Sequence, residues 1–359
     1  MSIFPTRVVD FFLTYDCNSA CPYCFVNQHG LKSSMSSETL EKSIDWIADT
    51  AKDEVEIVFI GGEPTLEPDK IEHTVQYATA VGAQKGVKFH FTMTTNFLNM
   101  DEALAQKLAA WKVSYLTSVD GYRERHDRSR PPRDKNIQSP FSLLEQRIQI
   151  LKQYQPRMAA RVTSTPFTVN WLSHDLQKLA EMGFGHFIIS PATGIRWTDA
   201  KLQLYGDELA QFALQRAQKN GKPWPYISPL DDADKGKYQW GCGAGRGRVA
   251  ISPHGNIHAC ARFTGMTSGD RLPFGDIHNG ITTEDNIIKF QDNSYQSRME
   301  CLTCPIREEC LGGCPAVNWE ETGSLVTPSV NECRMMKTTI AVKRRVHAGN
   351  EPSKENRHG

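Results

Sequence analysis

From Val8 to Ser190 the chain alternates short apolar runs with longer amphipathic stretches. Val8–Thr14 and Val55–Ile60 are near-continuous apolar runs, the pattern of strands buried on both faces. Val87–Met93, Val113–Val119, Met158–Thr165 and Phe184–Ser190 read as further strands. Helical stretches separate them. Ser36 or Ser37 caps one with Leu40, Ile44 and Ile47 on a single face, and another follows Pro68 with Ile71, Val75 and Ala78 in a stripe. Asp101 caps a third bearing Leu104 and Leu108; Phe141–Tyr154 carries Leu144, Ile148 and Leu151, and Leu172–Met182 is the fifth. Strands separated by helices in this way build a parallel sheet with right-handed crossovers. Six strands fall short of the eight that close a barrel. The expected fold class is therefore α/β, a partial (β/α)6 barrel spanning residues 1–200, with ligands at the C-terminal ends of its strands.

The pattern changes after residue 200. Asp207–Asn220 reads as a helix, and residues 221–240, rich in Pro, Gly and Asp, as a linker, so that 201–240 forms a helix-and-linker segment. Residues 241–335 are rich in glycine and cysteine and have little periodicity. A segment of that kind builds no large apolar core and is expected to be held together by metal. Residues 336–359 read as a basic, polar tail, partly disordered and frayed beyond Ala348.

The 359 residues include 41 Lys+Arg and 41 Asp+Glu, so the net charge is zero and no electrostatic footprint for nucleic acid is present. No apolar run reaches the length of a membrane span, and Val8–Leu13 is too short for a signal-peptide core. The chain is expected in the cytoplasm, in contact with neither membrane nor nucleic acid.

Cysteine changes this picture most. Three of the ten lie at 17, 21 and 24, seven lie between 242 and 333, and none lies between the groups. Both groups have odd counts and nothing marks an oxidising compartment, so metal or cluster ligation outweighs a disulfide framework. Cys17-x3-Cys21-x2-Cys24 directly follows the first strand, at the edge where catalysis is expected. Three thiolates bind three irons of a 4Fe–4S cubane and leave the fourth iron open to a small chelating molecule. A structural zinc site is the alternative. It wants four ligands, and His29 is the one nearby donor to propose as a fourth.

This spacing, with Tyr23 before the third cysteine, resembles the signature of the radical S-adenosylmethionine (SAM) superfamily. The resemblance implies that Cys17, Cys21 and Cys24 hold the catalytic cluster. It also implies that SAM chelates the open iron and that SAM is cleaved to a 5′-deoxyadenosyl radical. Gly61-Gly62-Glu63-Pro64 after the second strand resembles the family's GGEP motif, whose backbone and glutamate meet the SAM amino group. Glycines permit close backbone approach and a carboxylate suits an ammonium. Ser118-Val119-Asp120-Gly121 and His126–Pro131 resemble stretches of peptide-modifying members. There the resemblance makes Ser118 and Arg130 candidates for the SAM carboxylate and puts Asn96 near the SAM pocket. A solvated loop of surface ion pairs is the plain alternative for the Arg/Asp cluster, and a turn residue for Asn96.

The second group, Cys242, Cys260, Cys301, Cys304, Cys310, Cys314 and Cys333, resembles the SPASM domain over about 241–335. The resemblance implies two auxiliary 4Fe–4S clusters, three clusters in all. Cys301, Cys304, Cys310 and Cys333 would complete one, and Cys242, Cys260 and Cys314 would hold the other. Eight ligands are needed and seven cysteines are present, so the fourth position of the latter is open. It stays open or is filled by Asp234, His254, His258 or a substrate residue. A zinc ribbon on Cys301, Cys304, Cys310 and Cys314 is the alternative, and it leaves three cysteines unexplained.

SPASM-bearing enzymes of this superfamily mostly modify residues inside peptides. The expected function is maturation of a ribosomally made precursor peptide by cross-linking, epimerisation or backbone excision. A flavodoxin or ferredoxin is the expected low-potential electron donor. Seven residues precede Val8 and 26 follow Cys333, too few for a recognition domain, so a separate small leader-recognition protein is expected as partner. A formylglycine-forming sulfatase maturase is one alternative. Against it, Ala261 and Arg262 follow Cys260 where those enzymes carry an acidic base, and an eighth cysteine is missing. A non-catalytic iron–sulfur electron carrier is another; the open three-cysteine site and the GGEP motif argue against it.

Overall fold

The computed structural model describes residues 5–26, 32–219, 222–232, 242–265, 271–291 and 298–350. Six parallel strands carry the first part of the chain: β1 (Thr6–Phe12), β2 (Ala51–Ile60), β3 (Lys88–Thr95), β4 (Val113–Ser118), β5 (Met158–Ser164) and β6 (Phe184–Pro191). They pair in sequence order, β1 through β6, each parallel to the next. The connecting helices are α1 (Ser37–Thr50), α2 (Pro68–Lys85), α3 (Glu102–Ala110), α4 (Arg123–Ser129), α5 (Pro140–Leu151) and α6 (Leu172–Glu181). Local chemistry sets their starts. Ser36 Oγ accepts the Thr39 N–H at 3.1 Å, Asp101 accepts from Leu104 N at 2.8 Å, and proline opens α2 and α5.

Alternation along β5 shows how the sheet is used. Met158, Ala160, Val162 and Ser164 are buried, the first three in the core shared with the helices. Ala159, Arg161 and Thr163 are half-buried on the opposite, inner face. The sheet does not close. Its order is β13-β12-β11-β10-β1-β2-β3-β4-β5-β6-β9, which agrees with the expected partial barrel and extends it at both edges.

Those extensions are what the sequence pattern missed. The helix expected over Asp207–Asn220 is α7 (Asp199–Gln215), begun by Thr198, whose Oγ1 accepts the Lys201 N–H at 3.2 Å. β7 (Ala217–Lys219) and β8 (Lys222–Trp224) form a small antiparallel pair. β9 (Tyr226–Ser228) then pairs parallel with β6, so part of the expected linker is sheet. In the cysteine-rich region, β10 (Arg248–Ile251) pairs parallel with β1, and β11 (Asn256–His258), β12 (Gly275–Asp276) and β13 (Gly280–Ile281) continue antiparallel. Short helices follow: α8 (Ala261–Gly265), α9 (Glu284–Gln291), α10 (Met299–Leu302), α11 (Arg307–Cys310) and α12 (Pro315–Thr322). Phe263, Phe274 and Phe290 make a small aromatic core there, with ring centroids 5.2 and 5.6 Å apart.

The stretch from 336, read as a polar tail, is instead the body of α13 (Val330–Asn350). Met335, Thr339, Ile340, Val342 and Val346 are buried. Arg334 donates to the Trp197 carbonyl at 3.0 Å and Lys343 to the Asp232 carbonyl at 3.0 Å. A narrow apolar stripe suffices for a helix whose polar residues find partners on the barrel. The sparse stripe hid it in the sequence.

Candidate functional site

The Cys17–Cys24 loop leaves the C-terminal end of β1, and the Gly61–Pro64 turn leaves β2 beside it. Gly62 N donates to Thr14 O at 2.9 Å and Glu63 N to Asp16 O at 2.8 Å. A Cβ on Gly62 would lie 1.9 Å from Asp16 O, and Gly61 has φ +128° with Phe12 and Thr14 against it. The two glycines therefore let the second turn pass directly under the cysteine loop.

Glu63 is 1% exposed. Its Oε1 accepts Thr65 N at 3.1 Å, Thr65 Oγ1 at 2.7 Å and Thr95 Oγ1 at 2.8 Å, and its Oε2 accepts Asn96 N at 2.7 Å. Burial raises its pKa against these donors. Both carboxylate oxygens are thus already engaged by donors of the protein, which fixes the turn against β3. Asn96, at the end of β3, joins the pieces. Its Nδ2 reaches Asn18 Oδ1 at 2.6 Å, Ser19 Oγ at 3.0 Å and Cys17 Sγ at 3.6 Å.

Burial pushes the Cys17 thiol up to about 11 and the Cys21 thiol up to about 12, and Cys17, Cys21 and Cys24 sense one another's charge. Thiols so placed differ from exposed reactive cysteines, whose pKa is lowered. Beside Cys21 lies a buried ion pair. Arg130 Nε and Nη2 donate to Asp120 at 2.9 and 2.8 Å, Tyr23 OH also donates to Asp120, and the Arg130 guanidinium lies 5.5 Å from the Tyr23 ring centroid. Burial works against the Arg130 charge, but Asp120 outweighs it and keeps the arginine protonated. Arg130 thus has a prior partner, which the sequence reading had not given it. Ser118 is buried on β4, in register with Arg161 of β5.

The other seven cysteines fall in two neighbourhoods. Cys260 senses Cys242, and Cys314 senses both; burial raises Cys260 to about 12 and Cys314 further. Cys301, Cys304, Cys310 and Cys333 line one cavity of about 160 Å³ with Gly312 and Pro328. A cubane spreads its thiolates over the corners of a cluster, whereas a zinc ribbon converges four donors on one ion at about 2.3 Å. Among the described residues no group of three or more His, Cys, Asp or Glu is arranged to hold a metal ion, and Cys301, Cys304, Cys310 and Cys333 share one cavity.

His29 and Asp234, named as possible ligands, lie outside the described residues. His254 is exposed, and His258 is buried, with burial pulling its pKa down to about 4. Sequence reasoning passed over two buried carboxylates at the Cys242/Cys260/Cys314 set. Asp10 pairs with Arg248 and accepts Ala261 N at 3.2 Å, and Glu332 accepts Cys314 N at 3.2 Å. It named Arg262 only as a departure from the sulfatase maturases and gave it no partners; Arg262 donates to Thr193 Oγ1 at 2.7 Å and to Glu320 and lies 5.5 Å from the Phe25 ring centroid. An acidic residue inside an otherwise apolar strand was the available signal for Asp10. For Glu332 and Arg262 only the fold supplies one.

Residues 11–155 match the radical SAM superfamily model. That stretch is a radical SAM domain, and the C-terminal cysteine-rich region is consistent with a SPASM domain. Among curated relatives it is 21% identical to the radical SAM cyclopropyl synthase TigE of Paramaledivibacter caminithermalis, over 93% of this chain and 73% of that protein. It is 27% identical to the mycofactocin maturase MftC of Mycobacterium tuberculosis, over 86% of this chain and 78% of that protein. In fold it resembles anSMEcpe solved with bound AdoMet, with a TM-score of 0.77, 19% identity and 96% and 99% of the two chains covered. It also resembles Streptococcus suis SuiB bound to its precursor peptide SuiA, with a TM-score of 0.61, 16% identity and 92% and 76% covered. Among the described residues no helix is long and apolar enough to cross a membrane.

Proposed function

We propose that this chain is a radical SAM maturase that modifies a residue within a ribosomally made precursor peptide. The observation that carries this is the joint presence of two features. One is a three-cysteine loop clasped over a glycine turn at the strand ends; the other is a C-terminal region with seven further cysteines that joins the same sheet through β10. The names of TigE, MftC and SuiB support the peptide as substrate class.

In this reading Cys17, Cys21 and Cys24 would hold a 4Fe–4S cluster, which when bound and reduced would supply the electron for SAM cleavage. The chain's residues do the rest. The Gly61–Pro64 backbone receives the SAM amino group. Glu63 and Asn96 fix that turn to the cysteine loop. Ser118 and Arg130 take the SAM carboxylate, with Asp120 orienting the guanidinium. Cys301, Cys304, Cys310 and Cys333 hold one auxiliary cluster, and Cys242, Cys260 and Cys314 the other. Residues 1–200 act as the barrel and 241–335 as the SPASM module, with a flavodoxin or ferredoxin as electron source and a small protein presenting the peptide. A sulfatase-maturase role fits less well, because Ala261 and Arg262 follow Cys260 where those enzymes carry an acidic base.

The test is anaerobic incubation of the reconstituted protein with SAM and a strong reductant, followed by assay of 5′-deoxyadenosine. Formation by the wild type and its loss in the Cys17→Ala/Cys21→Ala/Cys24→Ala variant is expected. Undiminished cleavage in that variant overturns the assignment. Mass spectrometry of a precursor peptide co-expressed with the enzyme then identifies the modification.

A further inference from the structure

Arg161 is the one charged residue of β5 apart from its neighbours' polar groups, and it stands on the inner face of the sheet. Ala160 and Val162 on either side of it are wholly buried in the outer core, so alternation puts Arg161 on the other side. Ser118 of β4 and Ile188 of β6 are its register partners. Dense surroundings and the nearby Arg130 charge both pull its pKa down, yet part of its surface stays open. Its backbone carbonyl accepts the Val119 N–H at 3.1 Å and nearby Asp120 attracts its charge, but among the described residues its side chain makes no hydrogen bond and no ion pair.

That isolation is unusual. The buried arginines here have partners: Arg130 has Asp120, Arg216 has Asp231, and Arg298 donates to the Gly312 and Leu325 carbonyls. A half-buried guanidinium without an ion-pair partner is free to take up an anion. A guanidinium presents five N–H donors in a planar fork that matches a carboxylate.

SAM brings one carboxylate, and Arg130 is the cation beside the cluster loop, where it lowers the Cys21 thiol against the effect of burial. Arg161 is a second, surplus cation one strand farther round the inner face. The geometry points to Arg161 as the residue that recognises a carboxylate of the substrate peptide, either an acidic side chain or a free C-terminus, and so sets which residue is held near the radical. This rests on the peptide-maturase reading and narrows its substrate class.

Dye-labelled octapeptide pools test it by equilibrium binding to the reconstituted protein with SAM present. One pool has a fixed central Glu and capped ends, a second has Gln there, and a third has a free C-terminus. Variants Arg161→Gln and Arg161→Lys are compared with the wild type, and SAM affinity and iron content are measured for each. A charge-assisted pair is worth a factor of about ten or more in affinity. The wild type is expected to prefer the Glu or the free-carboxylate pool over the Gln pool by that factor. Arg161→Gln should lose the preference, Arg161→Lys should keep part of it, and SAM affinity and iron content should stay at the wild-type level. A preference that is absent in the wild type, or that survives in Arg161→Gln, overturns the proposal. A matching loss of SAM affinity in Arg161→Gln also overturns it, because the arginine then serves SAM. If no pool binds the wild type at all, the peptide-maturase reading falls and takes this one with it.

Discussion

Single residues of this chain are held in states that water would not choose, and pH reports on one of them. His126 on α4 is 2% exposed, and its Nδ1 accepts the Asp120 N–H at 3.3 Å, so the ring is neutral. Burial pulls its pKa from 6.5 down to about 4. Unfolding frees the ring to take a proton near 6.5, while the folded ring resists until about 4. The unfolded state therefore binds more protons throughout that window, and stability rises with pH across it, by up to about 3 kcal/mol from this residue. Anaerobic denaturant titrations at pH 4.5 and 7 should show a smaller difference for His126→Asn, whose amide oxygen can still accept the Asp120 N–H and does not titrate. An equal difference in both proteins would remove His126 from the account. Gly62 gives a second test at this scale. A Cβ there meets Asp16 O at 1.9 Å, so Gly62→Ala must displace the cysteine loop. The variant should lose the visible absorbance of the Cys17/Cys21/Cys24 cluster while retaining that of the other sets.

At the scale of elements, the sequence was most readable where packing is periodic. The six parallel strands and five of the six helices between them follow directly from runs such as Val55–Ile60 and stripes such as Leu40/Ile44/Ile47, because a sheet covered by helices imposes both periods. The cysteine loop and the glycine turn were legible for a different reason: their chemistry needs particular residues at fixed spacing. The partners that hold them were not legible. Asp120 for Arg130 and Thr95 for Glu63 are chosen by strand register, which no local pattern encodes. α13 was missed because its polar residues outnumber its apolar ones, and its buried stripe appears only against α7. Gly206 of α7 makes that packing possible: a Cβ there would lie 3.0 Å from Thr338 and 3.5 Å from Val342. Gly206→Val should push α13 outward at a cost of about 1–3 kcal/mol. Cys333 sits in the first turn of α13, so the variant should also lose iron from the Cys301/Cys304/Cys310/Cys333 set before the others, as seen by iron analysis after mild anaerobic dialysis.

Across the whole molecule, the cysteine-rich region is not a bead on a linker. β10 runs parallel to β1 with Val9 against Val249 and Phe11 against Ile251, and Asp10 of β1 pairs with Arg248 of β10. One continuous sheet therefore runs under the first cysteine loop and carries the region that bears the other seven cysteines. A rigid connection of this kind keeps redox groups at a fixed separation, and a flexible tether would not. It also predicts how the sites depend on one another. The sheet is built by apolar burial in β1–β6, not by the Cys17–Cys24 loop, which lies beyond the end of β1. Emptying that loop should leave the sheet and the later cysteine sets intact. Three cubanes correspond to about twelve irons per chain, and the Cys17→Ala/Cys21→Ala/Cys24→Ala variant should hold about eight, with an unchanged far-ultraviolet circular dichroism spectrum. Anaerobic iron and sulfide analysis decides it. About four irons in the wild type would refute the auxiliary clusters, and zinc in their place would favour the ribbon. Loss of all iron from the triple variant would show that the later sets depend on the first loop, against the continuity argued from the sheet.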